Sequence, residues 1–305
     1  MAIVGFSDAI FARKVLEHAV QALMPATAFS TDFSAEAQNP GTKITVPVIN
    51  KEATTHLKVA GQPYAVDDIT TTSADITLAT QPTYVSMHIT DAESAVNGPM
   101  LTTDLFAHQK GNLIAKTVLL DLFSPITAAN FGAAQVIGAP SQFNSDVLGD
   151  ILPLLDEAGF DPGMCSLVLK PTYYMALIKS IADVSKSGSS DPLMRGVVPG
   201  LFGLRQVIKS AVIPDNGENL IGFIAHPSAM GVAARYLKPQ PGNTYVIARP
   251  HTDAETGITL GERKWYSNDT GELRHVLEAI WGKTAFDYSN ADKTQNGIIR
   301  LTSAA

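Results

Sequence analysis

The first part of the chain changes from a helical pattern of apolar positions to a period of two. Apolar residues recur at helical spacing over 8–23, which predicts an amphipathic helix that Ser7 begins and Pro25 ends. Apolar and polar residues then alternate over 42–48, which predicts a β-strand with one covered face. The change of period marks the end of the helix and the start of an extended segment.

This extended segment, residues 41–91, is predicted to be long and thin. Residues 50–72 hold few apolar side chains, and alternation resumes over 76–89, which predicts a return strand. The segment is rich in β-forming residues but has too few large apolar side chains to bury a core of its own. Long segments of this kind within compact domains are usually functional or mobile. We therefore expect the segment to lie on a neighbouring subunit.

The longest predicted helix covers about residues 102–124. Thr102 or Thr103 can cap its first turn, and Pro125 stops it. A helix of this length is a rod of about 30 Å. Its second half is apolar almost all round, which predicts deep burial. Gly111 lies inside the helix and weakens it by roughly 1 kcal/mol relative to alanine.

The rest of the chain alternates between helical and extended patterns. Helices are predicted over 145–158 and 172–181 and after Pro227, and strands over 166–169, 205–210, 220–225, 260–266, 272–281 and 297–302. The Ser- and Gly-rich residues 185–199 predict a flexible loop. Together with the N-terminal elements, this order predicts an α+β fold.

The composition narrows the class of protein. The chain has 305 residues and a net charge of −7, its Lys and Arg residues are scattered singly, and only 17% of its residues are charged. A dedicated sequence-reading nucleic-acid binder carries a basic face, which this pattern does not predict, although a local basic patch would allow non-specific contact with DNA. So few charges are typical of a surface covered by neighbours, or of a well-packed soluble domain.

The cysteine count and the hydropathy of the chain indicate the cellular compartment in which the protein would fold. Cys165 is the single cysteine, so no intrachain disulfide can form, which fits a reducing cytoplasm. The N-terminal residues lack the pattern of a secretory signal, and no stretch reaches the roughly 18 uncharged apolar residues that span a bilayer. We therefore expect no membrane partner, and a fold held by packing and by contacts between chains.

The sequence shows no recognisable motif for catalysis, cofactor binding or metal binding. The seven histidines lack metal-ligand spacing, and phosphate-loop, dinucleotide and nucleophile-elbow motifs are absent. His226 and Ser228 are the nearest approach to a catalytic pair, but the end of a strand and the start of a short helix explain them better. We expect no catalytic residue, metal or cofactor, and keep an α/β enzyme without a readable site as the least favoured alternative.

Four segments give the chain a resemblance to a known family. GTKITVPVINKEATTHLKV and ITLATQPTYVSMHITDAESA look like the two strands of an extended loop, LTTDLFAHQKGNLIAKTVLLDLF like a spine helix, and GFDPGMCSLVLKPTYYMALIK like a strand-then-helix unit. In this order they resemble the major capsid (coat) proteins of tailed bacteriophages, which have the Hong Kong 97-type fold. The resemblance covers nearly the whole chain and is one of element order.

The resemblance implies a division of the chain and a structural role. The implied parts are an N-terminal arm and helix (1–40), an extended β-hairpin loop (41–91), a peripheral domain with the spine helix (92–130 and 245–305) and an axial domain (131–244). Subunits of this family form pentamers and hexamers and close into an icosahedral shell around double-stranded DNA. We therefore expect no enzymatic activity, assembly in the host cytoplasm and a final location in the virion capsid.

The implied partners are other copies of the chain, a portal protein and packaged DNA in non-specific contact. Many relatives carry a long N-terminal scaffolding segment that is cleaved, whereas this chain enters its first predicted helix almost at once. We therefore expect a separate scaffolding protein, or a chain that does not represent the cleaved type. The main alternative is an encapsulin-type nanocompartment shell, which has the same fold and encloses a cargo enzyme.

Two sets of residues are implied as sites. Lys51, His56, Lys58 and Tyr64 in the extended loop are candidates for inter-subunit contact. Some relatives cross-link a loop lysine to an asparagine of a neighbour, but a solvated or interfacial role is the better expectation for Lys51 and Lys58. Gly111 is a candidate hinge, because the spine helix bends during shell maturation in the family and glycine permits that change.

Overall fold

The described part of the chain is a mixture of short helices and strands. The computed structural model describes residues 18–19, 22–31, 33, 43–49, 55–64, 71–92, 103–181, 201–240, 242, 245–253, 256–288 and 292–304. Among these residues the helices are α1 (Thr103–Phe123), α2 (Ala128–Phe131), α3 (Ser145–Ile151), α4 (Pro153–Glu157) and α5 (Pro171–Ile181). The strands are β1 (Lys43–Ile49), β2 (Thr71–Leu78), β3 (Thr83–Thr90), β4 (Gln135–Ile137), β5 (Ser166–Leu169), β6 (Gln206–Lys209), β7 (Leu220–Ala225), β8 (Met230–Arg235), β9 (Ile247–Thr252), β10 (Thr259–Ser267), β11 (Glu272–Ala285) and β12 (Ile298–Ser303).

The chain divides into two compact units. The first consists of Met1–Ile44, Thr77–Phe123 and Val232–Lys283, and the second of Thr45–Ile76, Ser124–Gly231 and Thr284–Ala305. This division differs from the predicted one into N-terminal arm, extended loop, peripheral domain and axial domain. The limits of those four parts stay predictions.

A sheet around the long strand β11 forms the centre of the first unit. β11 pairs antiparallel with β10 along one edge and with β3 along the other, and β9 pairs antiparallel with β10. Farther along β11, Gly282 faces Leu78 of β2, and β1 pairs with β2. Trp281, at this end of β11, is buried, and its indole N–H donates to a carboxylate oxygen of Asp121 at 2.7 Å. This bond links the sheet to α1.

The second unit is built on a five-stranded sheet with the order β4-β12-β7-β5-β6. β5 and β7 are buried along their whole length, as expected for strands covered on both faces. β5 and β6 are parallel, and α5 makes the crossover between them. Glycine is required at Gly222, where β7 passes β5, because a Cβ there would lie 2.6 Å from the Val168 carbonyl oxygen.

Several of the predicted elements are confirmed. The helix expected over 102–124 is α1, and the strands expected over 166–169 and 220–225 are β5 and β7. The patterns did not indicate β4, β8 or α2. β4 has three residues, and β8 is buried nearly throughout and therefore shows no alternation of apolar and polar positions.

One prediction about a helix is wrong. The single helix expected over 145–158 is divided into α3 and α4, because Pro153 has no N–H to donate to the carbonyl of Gly149. The α-helical conformation ends at Leu23, before Pro25 as expected, and Met24–Ala28 continue as a 3-10 helix with the proline in its first turn. The predicted N-terminal helix lies mostly outside the described residues, and the predicted loop at 185–199 lies entirely outside them.

The second half of α1 is less buried than its apolar sequence predicted. Ile114, Val118 and Leu122 are buried, but Leu113 is 52% exposed and Leu120 is 38% exposed. The expectation of burial all round is therefore wrong for one stripe of the helix. Among the described residues, no helix is long and apolar enough to cross a membrane.

Candidate functional site

The tip of the predicted extended loop exposes apolar side chains. Every residue over 55–64 is exposed. Leu57 is 92% exposed, Tyr64 is 78% exposed and Val59 is 57% exposed. Large apolar groups concentrated in one exposed segment are typical of an interaction surface, not of a packed core. His56, Lys58 and Tyr64, three of the four predicted contact residues, lie in this tip, and Lys51 lies outside the described residues.

Lys58 organises the turn at the loop tip. Its ammonium donates to the carbonyl oxygen of Val59 at 3.2 Å and to that of Gln62. The same ammonium lies 4.7 Å from the centre of the Tyr64 ring, within the range of a cation–π interaction. The Gln62 amide also donates to the Val59 carbonyl at 3.2 Å. The charge of Lys58 is therefore directed at the backbone and the aromatic ring of its own turn.

The candidate hinge, Gly111, is buried in the first half of α1. The helix is continuous from Thr103 to Phe123 and passes through the glycine without a break. Farther along, the Thr117 hydroxyl donates to the Leu113 carbonyl at 3.0 Å, a local bond of the kind that can bend a helix. The role of Gly111 as a hinge stays a prediction.

A buried glutamate joins three strands of the first unit. Glu262 on β10 is fully buried, and its Oε1 accepts a hydrogen bond from the His275 Nε2 on β11 at 2.8 Å. Its Oε2 accepts from the His251 Nε2 at 2.8 Å and from the Arg249 Nε at 2.6 Å, both on β9. Sequence reasoning missed this cluster because its members come from different strands. A signal was present, since Glu262 shares a strand face with the apolar Leu260.

The surroundings of Glu262 keep its carboxylate ionised. Burial alone would raise the pKa of Glu262, but hydrogen bonds from His251, His275 and Arg249 together hold it well below the usual range for glutamate. A buried charge left without its partners is strongly destabilising. A slip of one residue in strand pairing would break this arrangement, so the cluster specifies the register of β9, β10 and β11.

The opposite face of the same sheet is open and concave. Arg263 follows Glu262 and therefore points to this face, where its guanidinium pairs with Glu278 at 2.7 Å. Burial raises the pKa of Glu278, and the pairing with Arg263 opposes that rise. A concavity of about 630 Å³ lies here, and Tyr84 and Trp265 are among the residues that line it. Aromatic residues and arginine are enriched at protein interfaces, so this face is a candidate contact surface.

The residues singled out for chemistry have structural roles. The Ser228 N–H donates to Nδ1 of His226 at 3.2 Å, and the Ser228 Oγ lies 2.7 Å from the same nitrogen. His226 therefore caps the 3-10 turn, a role that the sequence had suggested for Ser228. Burial raises the pKa of the Cys165 thiol to about 12, which leaves it unreactive. Among the described residues, no group of three or more His, Cys, Asp or Glu could hold a metal ion.

Comparison with known proteins finds relatives by structure. Neither a family model nor a curated protein matches the sequence. A chain of Mycobacterium phage Che8 matches with a TM-score of 0.61 and 14% identity, over 90% of this chain and 89% of that chain. The capsid structure of the cyanophage P-SCSP1u matches with a TM-score of 0.60 and 15% identity, over 87% and 84%. A virus-like particle from Pyrococcus furiosus matches with a TM-score of 0.53 and 14% identity, over 96% and 98%.

These matches identify the fold. They extend over nearly the full length of both chains in each pair, so the likeness includes parts of both units. The chain has the fold of phage capsid structures, and the predicted α+β fold of the Hong Kong 97 type is confirmed. At this low identity the matches establish the fold alone.

Proposed function

We propose that this chain is a structural, non-enzymatic protein, the major capsid protein of a tailed phage. It would assemble as pentamers and hexamers into an icosahedral shell around double-stranded DNA. The observation that carries the proposal is the full-length likeness to phage capsid structures, including the one from the cyanophage P-SCSP1u. The low content of charged residues, 17%, fits a surface that is largely covered by neighbouring subunits.

The exposed loop tip supports self-assembly in particular. Leu57, Val59 and Tyr64 are exposed in the single chain and would be buried by another copy. We assign Lys51, His56, Lys58 and Tyr64 to this inter-subunit contact. In this contact the two lysines would interact with the neighbouring copy through their charge and shape. Lys58 would also stabilise the turn at the loop tip. Bending of α1 at Gly111 would accompany maturation of the shell.

Further partners follow from the same role. A separate scaffolding protein would direct the curvature of the shell, and a portal protein would occupy one vertex. Contact with packaged DNA would be weak and non-specific, through a local basic patch on a chain whose net charge is −7. Assembly in the host cytoplasm would precede incorporation of the shell into the virion.

Negative-stain electron microscopy of the purified chain, alone and co-expressed with a scaffolding protein, tests the proposal. We expect closed particles tens of nanometres wide, or rings of five and six subunits. Leu57→Asp should reduce particle yield at least tenfold, because it places a charge in the proposed contact. Val246→Asp is the matched control, since Val246 is 70% exposed and lies outside the loop tip. A chain that stays monomeric under every condition contradicts the proposal.

An encapsulin-type nanocompartment is the second candidate. The likeness to the virus-like particle from Pyrococcus furiosus covers 96% of this chain, so the fold is compatible with a particle of that kind. The two functions differ in what the shell encloses. Particles isolated from the native source should contain double-stranded DNA if the phage proposal is right. A shell filled with one enzyme and free of DNA would favour the nanocompartment.

A further inference from the structure

Two asparagine–glycine bonds lie in the described part of the chain, Asn216–Gly217 and Asn296–Gly297. An asparagine that precedes glycine is especially open to spontaneous deamidation, because glycine has no Cβ to hinder the approach of its backbone nitrogen to the asparagine Cγ. The two bonds share this local chemistry and differ in their surroundings. The fold therefore decides which of the two asparagines can react.

The Asn216–Gly217 bond lies in an exposed turn of the segment between β6 and β7. The φ of Asn216 is +51° and that of Gly217 is +73°, and the Glu218 amide donates to the Asp215 carbonyl at 2.9 Å, as in a type I′ turn. Gly217 is exposed, and a Cβ placed on it would meet no atom within 4 Å. Its N–H donates to none of the described residues. The nitrogen that would attack the Asn216 Cγ therefore belongs to an exposed residue and is not tied to the described chain.

The Asn296–Gly297 bond is enclosed by the second unit. Asn296 is buried, its Oδ1 accepts from the Tyr288 amide at 2.9 Å, and its Nδ2 donates to the Asn130 carbonyl at 2.8 Å. A Cβ on Gly297 would lie 3.1 Å from the Phe160 ring. Ring closure at Asn296 would break these buried hydrogen bonds, which costs free energy. The fold therefore protects this asparagine.

The Asn216 side chain attaches its turn to the segment that follows α1. Its Nδ2 donates to the carbonyl of the buried Ile126 at 2.8 Å. Asn216 itself is only half-buried, and a hydrogen bond on an exposed turn opens more readily than one in a core. An aspartate at this position would turn the donor into an acceptor that faces the Ile126 carbonyl. It would also add a negative charge next to Asp215 and Glu218, so the attachment of the turn would weaken.

We propose that Asn216 is a site of spontaneous deamidation, which converts it to aspartate or isoaspartate and weakens the attachment of its turn to Ile126. The Gly217 nitrogen forms a bond to the Asn216 Cγ and gives up its proton, the bond from Cγ to Nδ2 breaks, and ammonia leaves. Water then opens the resulting succinimide ring at either of its carbonyls. The overall reaction takes up a water molecule, releases ammonia and requires no oxidant, metal or enzyme.

The consequence of this reaction is a slow change of the chain with age. Each modified copy gains a negative charge, and the isoaspartate form carries its side-chain CH₂ in the backbone. The modification goes beyond the proposed shell function and does not depend on it. In a shell it would produce copies that differ from one another at this turn.

Peptide mass spectrometry of the purified chain tests the reaction. The folded chain is kept in warm, mildly alkaline buffer and digested with trypsin, which places the two bonds in separate peptides, residues 210–235 and 294–300. Asn216 should gain the mass of an acid in place of an amide about tenfold faster than Asn296, because the buried amide must first open. In urea the two rates should become similar, since both asparagines precede glycine. Enzymatic methylation of isoaspartate should label the first peptide of the folded chain.

The rates in the folded chain decide the proposal. Slow conversion at both asparagines, with fast conversion in urea, would show that the turn protects Asn216. Fast conversion at both would show that the fold does not distinguish them. Conversion of the first peptide at Asn219 in place of Asn216 would also contradict the proposal. Each of these results is independent of whether the chain forms particles.

Two variants test the effect on the turn. Asn216→Asp stands for the aspartate product and should lower the urea midpoint of unfolding. Asn219→Asp is the matched control, because Asn219 is exposed, has a φ of +53° and adds the same charge without removing the bond to Ile126. Equal midpoints for the two variants would show that the modification does not weaken the attachment of the turn.

Discussion

The central strands of the two sheets are stabilised in different ways. In the second unit, β5 and β7 are buried along their length and contain no charged residue. In the first unit, β10 and β11 bury Glu262, His275 and Glu278. Both pairs of strands bury apolar side chains, but only β10 and β11 also bury charged groups that bind one another.

The two kinds of buried residue have different effects: apolar residues stabilise the fold, and charged residues fix the register of the strands. Apolar strands gain free energy from burial, and that gain depends little on which apolar residue meets which. Charged pairs in a buried site contribute little net free energy, because the loss of hydration offsets their attraction. They are nevertheless costly to separate, so they select one alignment of the strands. A fixed register in the first unit would keep its open face constant from copy to copy.

Removing an apolar side chain from β7 should have the largest effect. Phe223 is fully buried, and Phe223→Ala should lower the free energy of unfolding by about 3–5 kcal/mol, because the ring leaves a cavity. Urea unfolding of dissociated subunits measures this. Tyr84→Ala is the control on the first unit, where Tyr84 is 62% exposed, and should change stability by at most about 0.5 kcal/mol. Equal losses in both variants would contradict the contrast between the sheets.

Neutralising the buried carboxylate should have the next largest effect. Glu262→Gln keeps the size of the side chain but leaves Arg249 without its counter-charge, and should cost about 3 kcal/mol in urea unfolding. Glu272→Gln is the matched control, because the Arg274 side chain that Glu272 pairs with is 41% exposed. An exposed pair of this kind contributes at most about 1 kcal/mol. A cost for Glu262→Gln no greater than that of the control would show that the cluster does not hold the strands.

The effect of Glu262 should depend on pH. Its pKa is lower in the folded chain than the value of about 4.3 expected when unfolded, so below that value the unfolded chain binds more protons. The contribution of Glu262 is therefore complete above the unfolded pKa and is lost as pH falls through the acid range towards the folded value. The stability difference between wild type and Glu262→Gln should be constant above about pH 5 and shrink as the pH falls from there to about pH 3. A difference that stays constant over this range would mean that the folded pKa is not lowered.

The smallest effect on stability is expected in α1. Gly111→Ala should change the free energy of unfolding by about 1 kcal/mol or less, since alanine favours the helix but adds a methyl group at a buried position. Its effect on shell maturation should be larger, with slower expansion if α1 bends at this glycine. Light scattering or electron microscopy of expanding shells measures the rate. Expansion at the wild-type rate would show that Gly111 is not the hinge.

Elements with a strong period or a long apolar run could be predicted from the sequence. α1, β5 and β7 are of this kind, and their limits agree with the pattern to within one residue at each end. β8 was missed because a strand buried on both faces has no alternation, and the break at Pro153 was missed because the apolar positions continue across it. The order of the elements along the chain was therefore enough to predict the fold, whereas local breaks in the elements could be seen only in the structure.

The candidate sites divide in the same way. The exposed tip with Leu57 and Tyr64 could be anticipated, because a segment with little apolar mass cannot bury the few apolar residues it has. The burial of Glu262 had a signal in its place beside the apolar Leu260, but its partners did not, because His251 and His275 meet only when β9 and β11 lie on either side of β10.

The different surroundings of the two tryptophans provide separate optical signals. Trp281 is buried and donates to Asp121, so its fluorescence should report whether the first unit is folded. Trp265 lines the open concavity, so its emission should shift to shorter wavelength when a partner covers that face. Trp265→Phe removes the second signal and keeps the first. Subunit association and unfolding can therefore be followed in one cuvette without attaching a dye.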